Sequence, residues 1–583
     1  MPSSALVNRL HNHPSPYLAL HGEDPVAWQE WNAAALDLAR RHDRLLFVSI
    51  GYFSCHWCHV MQRESYRDAE IARVLNANFI PVKVDREING ALDAEMQTFA
   101  ERTAGRAGWP LNVFVTPQGY PLFATLYSPP REFLRIVTQL NERWLKDGDK
   151  LKQLARGAAL AEAVSKPAAA RFSPLVGERY RAQLVREALA QADPFRGGFG
   201  SVAKFPMVPQ LDALLEFQRQ EPQTKLAEFL QLTLGHMAGL GLYDHVGGGF
   251  FRYTTDPDWH IPHFEKMLYD NAQLARLYLH AAETFNQPRY RETACATLDF
   301  MLAEMRDPTS GAFMASTSAI DEHNREGGVY LWDKEQLRGL LGPDEYALVA
   351  RIWGLDAHAE FDLGYLPMHK IAPSEEERAA LAQIHAKLRH VRGQRSLPKD
   401  RKLLAALNGL ALQAFSEAAR VEKRYAAAAL GIRDFLANKL VQGQELRKGL
   451  SAGKDLGPGE LEDYAYAAAG LLSHAEVSGE RQDRELAAKL ARQGWARFHH
   501  ESGWKLQQTS LLATKASEAI VSDGALPSPS SVLIRTSWRL GGKDLRTKAL
   551  SALNTGYGEL DRGVFWFASQ VAAMNALKEQ GRS

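Results

Sequence analysis

The sequence predicts a multidomain chain in which an N-terminal α/β domain precedes a much larger all-α domain. Three observations carry this. Residues 25–145 alternate helical and strand-like segments. Strand signals nearly vanish beyond residue 174. Cys55-His56-Trp57-Cys58 stands where a buried strand hands over to a helix. At 583 residues the chain exceeds one ordinary domain. The boundaries expected are 1–155 for the first domain with an N-terminal extension, 156–174 for a connector and 175–583 for the helical domain.

Within the first domain, 27–41 reads as a helix, 45–50 as a buried strand and 60–76 as a helix. Residues 79–85 form a second strand with Ile80, Val82 and Val84 on one face, although Pro81 cannot donate to a ladder. A helix over 94–103, a hairpin of 111–115 with 121–126, and a helix over 131–145 complete the α/β pattern. Residues 150–174, rich in alanine and lysine and containing Lys166-Pro167-Ala168, read as the connector. Helices then recur at 175–191, 211–218, 226–240, 272–285, 289–305, 375–391, 403–420, 426–440, 461–477 and 483–498, with three more after Ser530. Short turns alternate with long polar loops, the pattern of a closed ring of helical hairpins with its chemistry in the loops at one end.

Composition narrows the function. There are 69 basic and 68 acidic residues, a net charge of +1, so the basic excess demanded by nucleic acid or anionic membrane is missing. No apolar run approaches the ~20 residues of a membrane span. The first 28 residues hold His11, His13, His21 and Asp24 without an apolar core, so no secretory signal is expected and a cytoplasmic location is. Three cysteines exclude a disulfide scaffold. Cys295, beside Ala294, Ala296 and Leu298, reads as a small buried hydrophobe.

The Cys-X-X-Cys corner has a physical use. The first thiol meets unpaired N–H groups at the start of a helix, which favour its thiolate, and the second can resolve a mixed disulfide. Here the pair follows a strand and the loop Gly51-Tyr52-Phe53-Ser54. Trp109-Pro110 stands immediately before the strand at 111–115, where a thioredoxin-like domain places a cis-proline. Cys55, Cys58 and Pro110 are therefore the redox candidates. Zinc would need four ligands. His11, His13, His21, His56 and His59 lie near in sequence, yet no second Cys-X-X-Cys and no compact His-X3-His pair accompany them. No metal and no cofactor is expected.

Several longer segments resemble one family. Ser15-Pro16-Tyr17-Leu18, Ser49-Ile50-Gly51-Tyr52, Cys55 to Met61, Val82 to Glu87, Gly197-Gly198-Phe199-Gly200, Lys204-Phe205-Pro206 and above all Trp259 to Ala272 are similar to the spermatogenesis-associated protein 20, or YyaL-like, family. The resemblance implies a thioredoxin-like domain fused to a six-hairpin (α/α)6 barrel, and implies no particular reaction. This chain departs from the family pattern at Ile88-Asn89-Gly90, Ala319, Leu407, Pro529 and Ser530.

Six-hairpin barrels resembling this one include glucosidases, unsaturated glucuronyl hydrolases and sugar 2-epimerases, whose chemistry needs acids or bases at the barrel mouth. Asp270, Glu265, His263 and Asp463 are the catalytic candidates. Arg252, Tyr253, Trp259 and Asp523 are the substrate-binding ones. A helix from Phe264 onward would place Lys266 and Asp270 on one face. Gly247-Gly248-Gly249 lacks the strand-then-helix setting of a phosphate loop and reads as a tight turn. Three functions follow. The barrel binds or processes a small carbohydrate-like ligand by carboxylate acid/base chemistry. Alternatively, Cys55 and Cys58 exchange disulfides, with a protein thiol as a partner and the barrel as client scaffold. The departures from the family pattern support a third, a binding module without turnover.

Overall fold

The computed structural model describes residues 6–162, 171–514 and 517–579. The middle of the expected connector, with Lys166-Pro167-Ala168, lies outside them.

The first domain is built on a five-stranded sheet: β1 (Gln29–Glu30), β2 (Leu46–Gly51), β3 (Ile80–Asp85), β4 (Leu111–Val115) and β5 (Pro121–Thr125), in the order β1-β3-β2-β4-β5. β2 runs parallel to β3 and antiparallel to β4. Pro81 is tolerated because β1 pairs only with Val82 and Lys83, leaving no ladder bond on that side for it to donate. Around the sheet lie α1 (Pro16–Leu20), α2 (Ala33–His42), α3 (His56–Met61), α4 (Ala69–Asn78), α5 (Gly90–Ala104) and α6 (Pro130–Glu162), the last bending at Asp147. The single helix expected over 60–76 is two. After α3 the chain makes a π turn, Gln62–Tyr66, and Asp68 then caps α4 by accepting the N–H groups of Glu70 and Ile71. The Tyr66 hydroxyl thereby reaches Ser49 and Asn112 inside the domain.

The second domain is an (α/α)6 barrel. Its outer and inner helices alternate as α7 (Pro174–Gln191), α8 (Val208–Gln220), α9 (Thr224–Gly239), α10 (Leu268–Phe285) and α11 (Pro288–Phe300). After the excursion α12 (Lys334–Leu340), α13 (Pro343–Trp353) and α14 (Glu375–Arg392) come α15 (Ala405–Val421), α16 (Ala426–Phe435), α17 (Leu461–Ser478), α18 (Arg481–Phe498), α19 (Pro529–Leu540), α20 (Lys543–Ala552), α21 (Tyr557–Arg562) and α22 (Ala568–Glu579). Helices α8, α10, α15, α17, α19 and α22 pack in sequence and close on one another. They bury nearly all their faces; in α17 the run from Tyr464 to Ala475 is buried throughout, the signature of a helix with protein on every side. The outer helices show one apolar stripe. α12 and α13, unforeseen in sequence, enclose a separate small core around Trp332 and Trp353.

Loops at the N-terminal ends of the inner helices carry short two-residue strands, and Gly248 and Gly249 turn there with φ of 77° and 76°. The first domain sits on this end of the barrel, and one continuous apolar core runs through both. Polar contacts also bind them. Lys402 is wholly buried among Asp85, Glu87 and Asp400. The Ala91 N–H reaches Glu460, and the loop before Cys55 is fastened to Glu265.

Candidate functional site at the domain junction

Cys55 and Cys58 are joined as a disulfide. Cys55 is the N-cap of α3, and its sulfur accepts the Cys58 N–H at 3.1 Å. The Trp109–Pro110 bond is cis. Both cysteines are buried, at 4% and 1% exposure, whereas Trp57 between them is half exposed and lies against Tyr127.

The barrel supplies part of that cover. The Tyr52 and Ser54 hydroxyls donate to the two oxygens of Glu265 at 2.9 and 2.8 Å. Arg252 approaches the same carboxylate at 3.2 Å and reaches Asp270 at 3.4 Å with its other arm. His56 stands 3.8 Å from Glu326 and edge-on to His263. Burial lowers the His56 pKa to about 4, with His263 and Arg63 acting in the same direction. The strand-to-helix corner is thus held from both domains.

This geometry revises several expectations. Glu265 has no exposed surface and both oxygens engaged, so it fastens the cysteine loop and offers no open acid. Lys266 and Asp270 do not share a helix face: Lys266 lies in a two-residue strand and pairs with Asp244 at 2.6 Å, while α10 starts at Leu268. Trp259 is fully buried with φ of 64°, its ring N–H bonded to the Arg196 carbonyl, so it packs and cannot stack on a ligand. Both faces of Tyr253 are taken, one by His263 and the other by Phe205. Asp523 accepts the backbone N–H groups of Ser528 and Ser569 and staples its own loop. In each case a polar or aromatic residue in a long loop found its partner inside the protein, which composition alone does not disclose.

Beside the corner lies a cavity of about 230 Å³ between α5 and the barrel mouth. Arg86, Glu87 and Asp93 enter it from the first domain; Tyr269, Lys448 and Asp463 enter from the barrel. Arg86 packs over Trp109 and Tyr52, linking the cavity wall to the cysteine loop. One Arg86 guanidinium nitrogen and the Tyr269 hydroxyl are buried without hydrogen-bond partners among the described residues. Asp463 belongs to a capping box, accepting the N–H groups of Glu460 and Ala406, with Lys448 at 3.2 Å. Burial raises its pKa, and Lys448 opposes the rise. Asp270 is pushed up to about 7 by burial, here against Arg252. Among the described residues no group of three His, Cys, Asp or Glu side chains is placed to hold a metal ion.

Arg86 and Glu87 were quoted in sequence only as parts of a longer segment. Their roles depend on which domain faces which. The same holds for a half-buried network at the other end of the barrel, where His280 bridges Asp212 at 3.1 Å and Glu417 at 3.0 Å beside Arg276.

Residues 7–163 match the family model Thioredox_DsbH, described as a protein of unknown function, DUF255. The chain is 31% identical to spermatogenesis-associated protein 20 of Rattus norvegicus over 98% of its length and 81% of the rat protein. It is 32% identical to that of Mus musculus over 83% of its length and 69% of the mouse protein. Of solved structures, cellobiose 2-epimerase from Spirochaeta thermophila covers 70% of this chain and 97% of its own, at 13% identity and a TM-score of 0.46. Fold and junction together define a class of protein, a thioredoxin-like domain seated on the mouth of an (α/α)6 barrel. Within that class, the chain belongs to the spermatogenesis-associated protein 20 family.

Proposed function

We propose that Cys55 and Cys58 form a dithiol–disulfide redox centre whose access is governed by the barrel. The observation that carries this is the disulfide at the strand-to-helix corner, with the Cys58 N–H directed at the Cys55 sulfur. Such a donor favours a thiolate at Cys55 in the reduced protein. Burial of both sulfurs selects a slim thiol partner, a small dithiol or an extended peptide, over a folded surface. In the test, oxidised full-length protein is titrated with dithiothreitol and its thiols are counted by alkylation. Two thiols appearing together, reversibly and without unfolding, are expected. A disulfide that opens only on denaturation refutes the proposal.

The junction cavity favours a second function, binding of a small carbohydrate-like ligand. Its unpartnered Arg86 nitrogen and Tyr269 hydroxyl suit a hydroxyl-rich molecule. Its volume lies below the ~300 Å³ at which drug-sized sites begin, which suits one sugar ring. The acid/base candidates are Asp270, raised by burial and next in sequence to the lining Tyr269, and Asp463, which lines the cavity with both oxygens already engaged; Arg252 pairs with Asp270. Calorimetry against a panel of monosaccharides and sugar acids should find a binder that Tyr269→Phe weakens several-fold. Equal binding by the variant would remove the cavity from consideration.

A further inference from the structure

The segment Ser15-Pro16-Tyr17-Leu18 precedes the sheet in sequence yet reaches the redox corner. Tyr17 lies in α1, and only 1% of it is exposed. Its hydroxyl is buried without a hydrogen-bond partner. Gly51 shows where that hydroxyl points: the Cys58 sulfur lies 2.7 Å, and the Tyr17 hydroxyl closer still, from the position a Gly51 Cβ would occupy. The two atoms are therefore neighbours, less than twice that distance apart, across a gap that only glycine leaves open. The ring is fixed by His21, edge-on at 5.1 Å, and by the Lys83 ammonium at 5.3 Å. Nearby polar groups are otherwise engaged: Lys83 with Ser49, Asp85 with Ser15 and Lys402, and Asp24 with His21.

An unpartnered buried hydroxyl is unfavourable, so a state that gives it an acceptor is favoured. A disulfide sulfur is a weak acceptor and a thiolate a strong one. We infer that Tyr17 is a positioning residue for the redox centre, donating its hydroxyl hydrogen bond to the Cys58 sulfur when the disulfide is reduced. The inference rests on the thiol–disulfide function proposed above. A thiolate of an external dithiol attacks the Cys55 sulfur, the Cys55–Cys58 bond breaks, and its electron pair leaves on Cys58 as a thiolate. The reductant's second thiol then displaces Cys55 and closes the reductant's own disulfide. Two electrons pass to the protein, and the reductant's two thiol protons go to the cysteines or to solvent. Tyr17 keeps its proton throughout and stabilises the leaving sulfur. Burial, the first cause, with Tyr66 and Asp85, holds its pKa well above 10.0 and preserves the phenol as a donor.

The test compares wild type with Tyr17→Phe, which retains the ring. Oxidised full-length proteins are equilibrated with graded ratios of reduced to oxidised dithiothreitol, and thiols are counted by alkylation and mass spectrometry. Tyr17→Phe is expected to lower the equilibrium constant for reduction about tenfold, which is about 30 mV for a two-electron couple. Oxidised Tyr17→Phe should resist thermal unfolding at least as well as oxidised wild type, because the hydroxyl it removes has no partner in that state. A variant equilibrium constant within about twofold of wild type overturns the role of Tyr17 while leaving the redox centre intact. A variant whose oxidised form is strongly destabilised also overturns it, since the hydroxyl would then serve the disulfide state. If wild type itself cannot be reduced while folded, the redox function fails and this inference with it.

Discussion

Glu265→Ala tests how the two domains are joined. The carboxylate is fully buried, accepts the Tyr52 and Ser54 hydroxyls, and balances Arg252, whose other contact is the longer 3.4 Å one to Asp270. Removing it leaves two buried hydroxyls without that acceptor and a guanidinium with one weak partner. Breaking a buried pair in this way costs about 3–5 kcal/mol, and Glu265→Gln, which keeps an acceptor but not the charge, should cost about half. Urea unfolding followed by tryptophan fluorescence measures the loss. A double-mutant cycle with Tyr52→Phe isolates the inter-domain bond, for which a coupling of about 1.5 kcal/mol or more is expected. Loosening the cysteine loop should also speed reduction of the disulfide by a small dithiol. A loss below about 1 kcal/mol with no coupling would show that Glu265 does not fasten the domains.

Further outcomes follow from the other buried charges. Lys402→Met strands Asp85, Glu87 and Asp400 together; it should destabilise the protein by about 3–5 kcal/mol at pH 8. That deficit should shrink on acidification as the carboxyls protonate, and partial rescue by Asp400→Asn would confirm the cause. Against the effect of burial, hydrogen bonds to Asp212 and Glu417 raise the His280 pKa from 6.5 to about 9. Its contribution to stability is complete below pH 6.5 and disappears as the pH rises through about 9. Thermal melts from pH 6 to pH 10 should therefore lose this dependence in His280→Gln, and an unchanged slope would exclude His280 as its source.

Much of the architecture was legible in the residues because it follows from short-range physics. Alternation and apolar runs placed four of the five strands of the first domain's sheet to within one residue, while β1 fell inside the helix expected over 27–41. The Cys-X-X-Cys setting located the corner, and recurring helices separated by short turns and long polar loops announced the ring. Local competition explains the exceptions. A π turn and the Asp68 cap divided one expected helix, and α12 and α13 surround a satellite core that no long periodic run announced.

The candidate site was less legible, and the reason is physical. A carboxylate, an arginine or an aromatic ring in a loop has the same composition whether it faces a ligand or its own protein. Glu265, Trp259, Tyr253 and Asp523 were chosen as ligand-facing residues, and each is engaged by a partner distant in sequence. Conversely, Tyr17, Arg86 and Tyr269 gain their interest from atoms left unpartnered after packing. By itself the sequence determined the two domains, the cysteine corner and the ring of helices, since these depend on residue periodicity and local chain geometry. Only the tertiary structure decided which face of the first domain meets the barrel, and hence which polar groups are spent on that contact and which remain to act. That docking rests on long-range matches, the shared apolar core and the pairing of Glu265 and Lys402 with their partners among them, for which no local pattern exists.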